Sequence, residues 1–300
     1  MRNSIERRAV WGLFLGLVGV ISFSLTLPLT RIAVADMDAG TVAVWRGLIA
    51  ALSAAAILLV FYRRWPTRAQ LAPLFVTGIG IVIGFPLFTT LAMQTIPASH
   101  GAIVVGLLPI STAAVGILVT NERPPTAFWI ASGIGTIAIL IFVTRQSEGG
   151  IEIGHVYLLL AVLFAATGYA VGGKVAKEMG AARVICWALV LIAPALLVAS
   201  FFVAPIPWHV PAKAILSFFY LALISQLAGF LAWYGGLAIG GVARVSQVQL
   251  LQIFLTLTAS SVLLSEHINA EIWLFAGLVF CCVVASSRLR ISTVSKHHDR

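Results

Sequence analysis

Long apolar stretches separated by short polar breaks dominate the chain, and strict apolar/polar alternation is absent. A window of about 19 residues finds ten apolar segments, roughly 10–30, 41–62, 71–93, 101–120, 126–144, 155–173, 184–204, 212–234, 245–264 and 271–287. Each is close to the length that crosses ~30 Å of hydrocarbon as a helix. The gaps are too short for a soluble domain, and backbone inside lipid must satisfy its own hydrogen bonds. The pattern therefore predicts an all-α membrane protein with ten transmembrane helices. Gly235, Gly236, Gly240 and Gly241 blur the break between the eighth and ninth segments. Ala33-Val34-Ala35 resembles a signal-peptidase site, but the run from Val10 to Thr30 exceeds the ~7–15 residues of a signal-peptide core. It is read as a retained span.

Composition agrees: 60% of residues are hydrophobic and 10% charged, too little polar surface for a water-soluble body. The net charge of +9 invites a nucleic-acid reading, which its distribution excludes. With the N-terminus in the cytoplasm, fifteen of the 19 Lys and Arg fall on the cytoplasmic side. Only Arg31, Arg145 and Lys213 fall outside, and Arg46 lies within a span. That bias predicts cytoplasmic termini and a bacterial-type inner-membrane location, with the basic excess facing anionic lipid headgroups and not nucleic acid. Cys186, Cys281 and Cys282 fall within spans and show neither metal-ligand spacing nor a disulfide framework. No cofactor or metal is expected, and the oligomeric state is left open.

The chain also repeats itself. DMDAGTVAVW, Asp36 to Trp45, is echoed by EMGAARVICW, Glu178 to Trp187, and Thr120-Asn121-Glu122 closes the fourth segment as Leu264-Ser265-Glu266 closes the ninth. A third pairing, Thr90-Leu91-Ala92 through Pro97-Ala98 with Tyr234-Gly235-Gly236 through Gly241-Val242, keeps the same register. The expectation is two five-helix halves, 1–148 and 149–300. An odd number of spans per half makes the second enter from the opposite face, giving inverted repeats.

Ser22-Phe23-Ser24 with Pro28, Trp45-Arg46, Pro97-Ala98 and the Glu after spans 4 and 9 give the chain a resemblance to the drug/metabolite transporter superfamily, EamA type. Within it the chain resembles the YddG-type amino-acid exporters. The resemblance implies a basket in which spans 1–4 and 6–9 surround a central cavity, and export of small metabolites, amino acids foremost, by alternating access. One departure is plain: Ala188 stands where Arg46 stands in the first repeat.

Candidate binding residues follow from polar positions within spans. Gln249, Gln252, Thr256 and Ser260 share one helical face of span 9, so they either hydrogen-bond neighbouring helices or line a wet space. Gln226, Trp233 and Tyr234 of span 8 offer a hydrogen bond and ring surfaces to an amphiphilic solute, or form an interfacial belt. His100, near the outer end of span 4, is a packing residue or a ligand. Arg46 either snorkels to the outer interface or binds a substrate carboxylate. All ten acids fall in loops or at span ends. With no mid-membrane carboxylate to couple to protons and no P-loop, facilitated transport is expected, with a proton-coupled antiporter as the alternative. Glu122 and Glu266 precede helix starts and are read as N-terminal caps there. An enzyme is not supported, since neither G-x-S-x-G nor H-E-x-x-H occurs. A channel lacks a ring of charges, and a membrane scaffold remains a weaker alternative.

Overall fold

Pro28 leaves the Ser24 carbonyl without its helical donor, and the first apolar run accordingly bends at Leu25 into α1 (Arg2–Ser24) and α2 (Thr26–Asp36). This and the following geometry come from a computed structural model that describes residues 2–62, 64–120, 126–146, 152–240 and 246–295. Arg63, Glu122 with Pro124 and Pro125, Arg123, Glu148, Gly241 with Val242, Arg244, Lys296, Asp299 and Arg300 lie outside the described residues. After a turn in which Asp38 Oδ2 accepts from Thr41 N at 3.1 Å, α3 (Ala39–Phe61) runs unbroken. The third run divides into α4 (Arg68–Gly78), a π-helical segment (Ile79–Gly84) and α5 (Phe85–Thr95). The fourth divides into α6 (Ala98–Val105) and α7 (Leu108–Thr120), and α8 (Thr126–Gln146) follows.

In the second half, α9 (Ile153–Met179) and α10 (Ala181–Ser200) are joined through Gly180 alone, whose φ of +85° suits a residue without a side chain. Next come α11 (Ala212–Phe219), a second π segment (Tyr220–Ala228) and α12 (Gly229–Gly240). A 3-10 turn (Ser246–Leu251), α13 (Gln252–Leu264) and α14 (Ala270–Ser295) complete the chain. Among the described residues there is no strand. Among those residues seven helical stretches, some running across these breaks, are long and apolar enough to cross a membrane, and shorter apolar helices lie at Gly133–Phe142, Gln252–Leu264 and Ala270–Cys282. Hydropathy alone draws uniform rods, and the breaks in the first, third and fourth runs fall where Pro28, Pro86 and Pro109 each free a backbone carbonyl, as these prolines predict.

The interruptions keep the register of the repeat. The two π segments are separated by the same shift that relates the sequence echoes, and so are the α6/α7 break and the junction of the 3-10 turn with α13. The first run has no such mate, because α9 is continuous. The main helix contacts join one half to the other: α1 packs on α12, α3 on α10, α8 on α14, α9 on α4 and α5, and α6 on α13. Small residues permit this. A Cβ on Gly236 would stand 2.7 Å from the Gly12 carbonyl oxygen and the Gly16 nitrogen. On the other pair, Gly80 backs onto the Phe164 carbonyl and Gly168.

Candidate functional site

Two helix breaks face one another across one cleft. On one side, Pro109 has no N–H to offer the Val105 carbonyl, and the chain turns at Gly106 and Leu107 through bonds from Gly106 N to Ile103 O and from Leu107 N to Val104 O, 3.1 and 3.0 Å. On the other, the 3-10 turn passes into α13 at Leu251 and Gln252. Leu27, Ala102, Val105, Gly106, Leu108, Pro109, Gln249, Gln252, Ile253 and Thr256 line the cleft between them. Its free space is about 20 Å³, room for about one water. In this conformation the walls must part before a solute enters. Gln249 and Gln252 are half-buried and Thr256 is buried, so the three polar residues of span 9 share this cleft. The resemblance to known exporters could not single out the opposite wall, because α6 and α7 contribute it through backbone and apolar groups.

Gln226 is used differently. In a π segment each carbonyl waits for the N–H five residues on. Phe85 N bonds Gly80 O in this way, but the next donor would be Pro86, which has none. Gln226 Nε2 supplies it, donating to Ile81 O at 2.9 Å. Gln226 therefore ties the two π segments together across the halves, and its amide nitrogen is committed to backbone. Gln226→Leu is expected to lower stability by about 1–3 kcal/mol, the cost of an unsatisfied buried carbonyl. Thermal unfolding in detergent measures it, and an unchanged midpoint would refute this assignment.

Trp233 and Tyr234 are both buried, which corrects the interfacial-belt reading. Trp233 packs its Cα and Cβ against Gly19 of α1, at the α1–α12 contact and away from the cleft. Tyr234 leans on Phe230, ring centroids 6.0 Å apart, and its hydroxyl finds no protein partner. The structure does not bring these three residues to Gln249, Gln252 and Thr256.

Arg46 is 1% exposed, so the snorkelling reading is wrong: α3 packs against α10, α5 and the second π segment, and the side chain is enclosed within the bundle. Its Nε and Nη1 have no hydrogen-bond partner in the protein. It stands seven residues after the helix start at Ala39, about 10 Å down the helix axis. Thr256 lies eight residues from the Leu264 end of α13, about 12 Å along its own axis. Both distances run from the same end of the bundle, so guanidinium and cleft share a depth while lying on different helices. Ala188, its counterpart in the repeat, is a buried apolar position of α10.

His100 lies on α6 with the cleft residues Ala102 and Val105 but is not among those lining the cleft. It meets His155 and Phe142 instead. His155 escaped the sequence reading because it sits at the very start of a span, where a polar residue carries no signal. Among the described residues no group of three His, Cys, Asp or Glu could hold a metal ion.

The sequence profile of the EamA-like transporter family matches residues 10–144 and again residues 152–288. The chain belongs to that family. This EamA-family chain is thus a membrane transporter of the drug/metabolite superfamily and not an enzyme. It is 41% identical over 274 residues to the uncharacterized transporter YdeK of Bacillus subtilis (strain 168), covering 91% of this chain and 96% of YdeK. The uncharacterized transporter YwfM of the same organism is 23% identical over 208 residues, 68% of this chain and 69% of YwfM. A solved crystal structure shares the fold at a TM-score of 0.63 and 15% identity, covering 96% of this chain and 99% of its own.

Proposed function

We propose that this EamA-family transporter moves small amphiphilic solutes bearing a carboxylate, amino acids with apolar side chains foremost, out of the cell by alternating access around the cleft between the two helix breaks. The observation that carries the reading is that the breaks occupy equivalent places in the two repeats and meet at one polar-edged cleft. Broken helices in corresponding positions of two halves leave backbone groups for a solute at mid-depth, where an unbroken helix offers none. The contact pattern, with α1 on α12 matched by α9 on α4 and α5, supports two inverted five-helix halves, 1–148 and 149–300. Arg46 supplies a cation at the same depth for the carboxylate, and the walls of Leu27, Ile253 and Val105 suit an apolar side chain. Cytoplasmic termini in a bacterial-type inner membrane follow from the positive-inside bias.

The described acids all stand at helix ends or between helices, which supports facilitated movement down the solute's own gradient. The second reading, proton-coupled exchange, is favoured by one observation, the buried His100–His155 pair. The experiment is uptake of an amino-acid panel into proteoliposomes at equal pH, with and without Gln249→Leu, Gln252→Leu and Thr256→Val. Saturable uptake of apolar amino acids that falls about tenfold or more on losing such hydrogen bonds supports the cleft. Uptake indifferent to all three replacements sinks it. Accumulation above the outside concentration under an imposed pH gradient would favour the coupled reading.

A further inference from the structure

The two tryptophans that close the sequence echo occupy equivalent places in the fold but are used differently. Trp45 of α3 and Trp187 of α10 each stand six residues after their helix starts, Ala39 and Ala181. The two helices pack on one another and run antiparallel, since the start of α3 meets the chain just past the end of α10. There Trp45 Nε1 donates to Ala204 O at 3.2 Å, and Thr41 Oγ1 donates to the same carbonyl at 3.0 Å. Both bonds join one half to the other.

The same end carries a second fastening. Glu266, just past α13, turns both carboxylate oxygens onto the N-terminus of α6, where Oε1 accepts from Ala98 N at 2.8 Å and Oε2 from Ser99 N at 2.9 Å. A carboxylate there satisfies two of the helix's orphan donors and faces the positive end of its dipole. Lys213 at the start of α11 donates to Leu263 O at the end of α13, 3.1 Å, so the segment that follows Ala204 and the segment that carries Glu266 lie at one end. It is the outer end by the charge bias of the sequence. It cannot part without losing these cross-half bonds.

At the inner end the equivalent donor is idle. Trp187 is 5% exposed, and its Nε1 has no hydrogen-bond partner in the protein. Trp65, in the segment after α3, packs on it with ring centroids 5.0 Å apart. The shift that relates Trp45 to Trp187 also relates Tyr62 to Ala204. Tyr62 stands one residue past the end of α3 and packs against the same buried cluster as Trp187. A buried N–H without an acceptor is costly, so this conformation leaves the inner end with a donor whose natural acceptor is close by but not engaged. The other side-chain bond between the halves here, Gln70 Nε2 to Glu178 Oε2, is exposed and long at 3.5 Å.

We propose that Trp45 and Trp187 are reciprocal gate donors: each indole N–H fastens its own end to the loop of the opposite half when that end is closed, and the two bonds are made in turn. Here the outer bond is made and the inner one is not. Opening the outer end breaks the bond from Trp45 to Ala204. In inverted repeats the inner loop then takes up the relation that the outer loop holds now, and Trp187 Nε1 reaches the Tyr62 carbonyl. One indole bond is exchanged for another, so the pair penalises any state in which both ends are open. Thr41 tilts the balance toward the outer-closed state, because its counterpart Arg183 carries no hydroxyl. Neither tryptophan lines the cleft, so both act on the gates and not on the solute.

The proposal rests on the alternating-access reading but not on which solute moves, so its test reads accessibility and not flux. An Ala102→Cys reporter in the cleft is placed in a background with Cys186, Cys281 and Cys282 replaced by Ala. A membrane-impermeant maleimide is added to membrane vesicles from either side. Rates are divided by those of the exposed Ala270→Cys at the end that bears Glu266 and of the exposed Ala69→Cys at the other. Trp45→Phe and Trp187→Phe keep an aromatic ring and remove the N–H. Trp45→Phe is expected to raise the ratio of outer to inner labelling by about fivefold, the worth of one net hydrogen bond. Trp187→Phe is expected to lower it by as much or more, since it also removes the unsatisfied donor of this conformation. Lost packing alone gives no such opposition of sign. No change, or a change of the same sign in both variants, overturns the proposal, and alternating access stands if the reporter is still reached from both sides. Labelling from one side alone, or from neither, in every protein overturns both. Should either variant fail to reconstitute, Trp45→Leu or Trp187→Leu, which also lacks the N–H, is read for the same sign.

Discussion

Protein carrying Arg46→Met is expected to melt above the unsubstituted protein in detergent and yet to transport carboxylate-bearing solutes about 100-fold more slowly. The two effects share one cause. Arg46 is 1% exposed with Nε and Nη1 unpartnered, and a charged side chain at membrane depth costs on the order of 2.5–3.5 kcal/mol or more. A methionine of similar length removes that cost, as apolar replacements of buried charges commonly do. What is lost is the fork that two charge-assisted hydrogen bonds to a carboxylate would use. Such bonds are worth about 1.5–3 kcal/mol each, and roughly 2.7 kcal/mol is a hundredfold in affinity. Arg46→Lys keeps the charge but not the planar fork, so an intermediate loss is expected. Thermal unfolding together with proteoliposome uptake separates the cases. A lower melting point with unchanged carboxylate flux would make the guanidinium a structural residue.

The second large effect concerns how the halves touch. Gly80→Ala should abolish stable folding or lower the unfolding midpoint sharply, while Gly173→Ala should do neither. A Cβ on Gly80 would overlap the Phe164 carbonyl oxygen and come within 2.9 Å of the Gly168 backbone. Backbone cannot swing aside as the end of a side chain can, so α9 would have to move off the first π segment. Overpacking of this kind typically costs about 1–3 kcal/mol and can cost more. Gly173, five residues from Gly168 on α9, has nothing within 4 Å of its Cβ position, and alanine there gains helix propensity. Size-exclusion profiles and melting curves of the pair provide the check. Equal tolerance at both positions would mean that α9 and the π segment do not approach as closely as described.

The sequence itself showed where helices would form, and it places small residues where they pass one another closely. Gly12, Gly16, Gly80 and Gly168 all lie in close contacts. It also showed that Gln249, Gln252 and Thr256 share a face, which one helix's periodicity is enough to establish. These are local facts: partition between lipid and water depends on the composition of about twenty consecutive residues, and a shared face depends on the 3.6-residue turn.

Pairings between distant residues were settled only by the tertiary structure. The sequence offered Gln226 as a solute ligand, but its amide reaches a carbonyl 145 positions away, one that the first π segment and Pro86 together leave without a donor. It offered Glu266 as an N-terminal cap of the helix it precedes, and the carboxylate instead caps a helix in the other half of the chain. Arg46 could as well have reached the interface, until α3 was seen covered by its neighbours, and His155 gave no sign until it met His100. Apolar spans are specified residue by residue through their solvent, whereas a polar group inside them must take whatever partner the folded bundle brings to it, and that partner is fixed by which helices cross and at what depth.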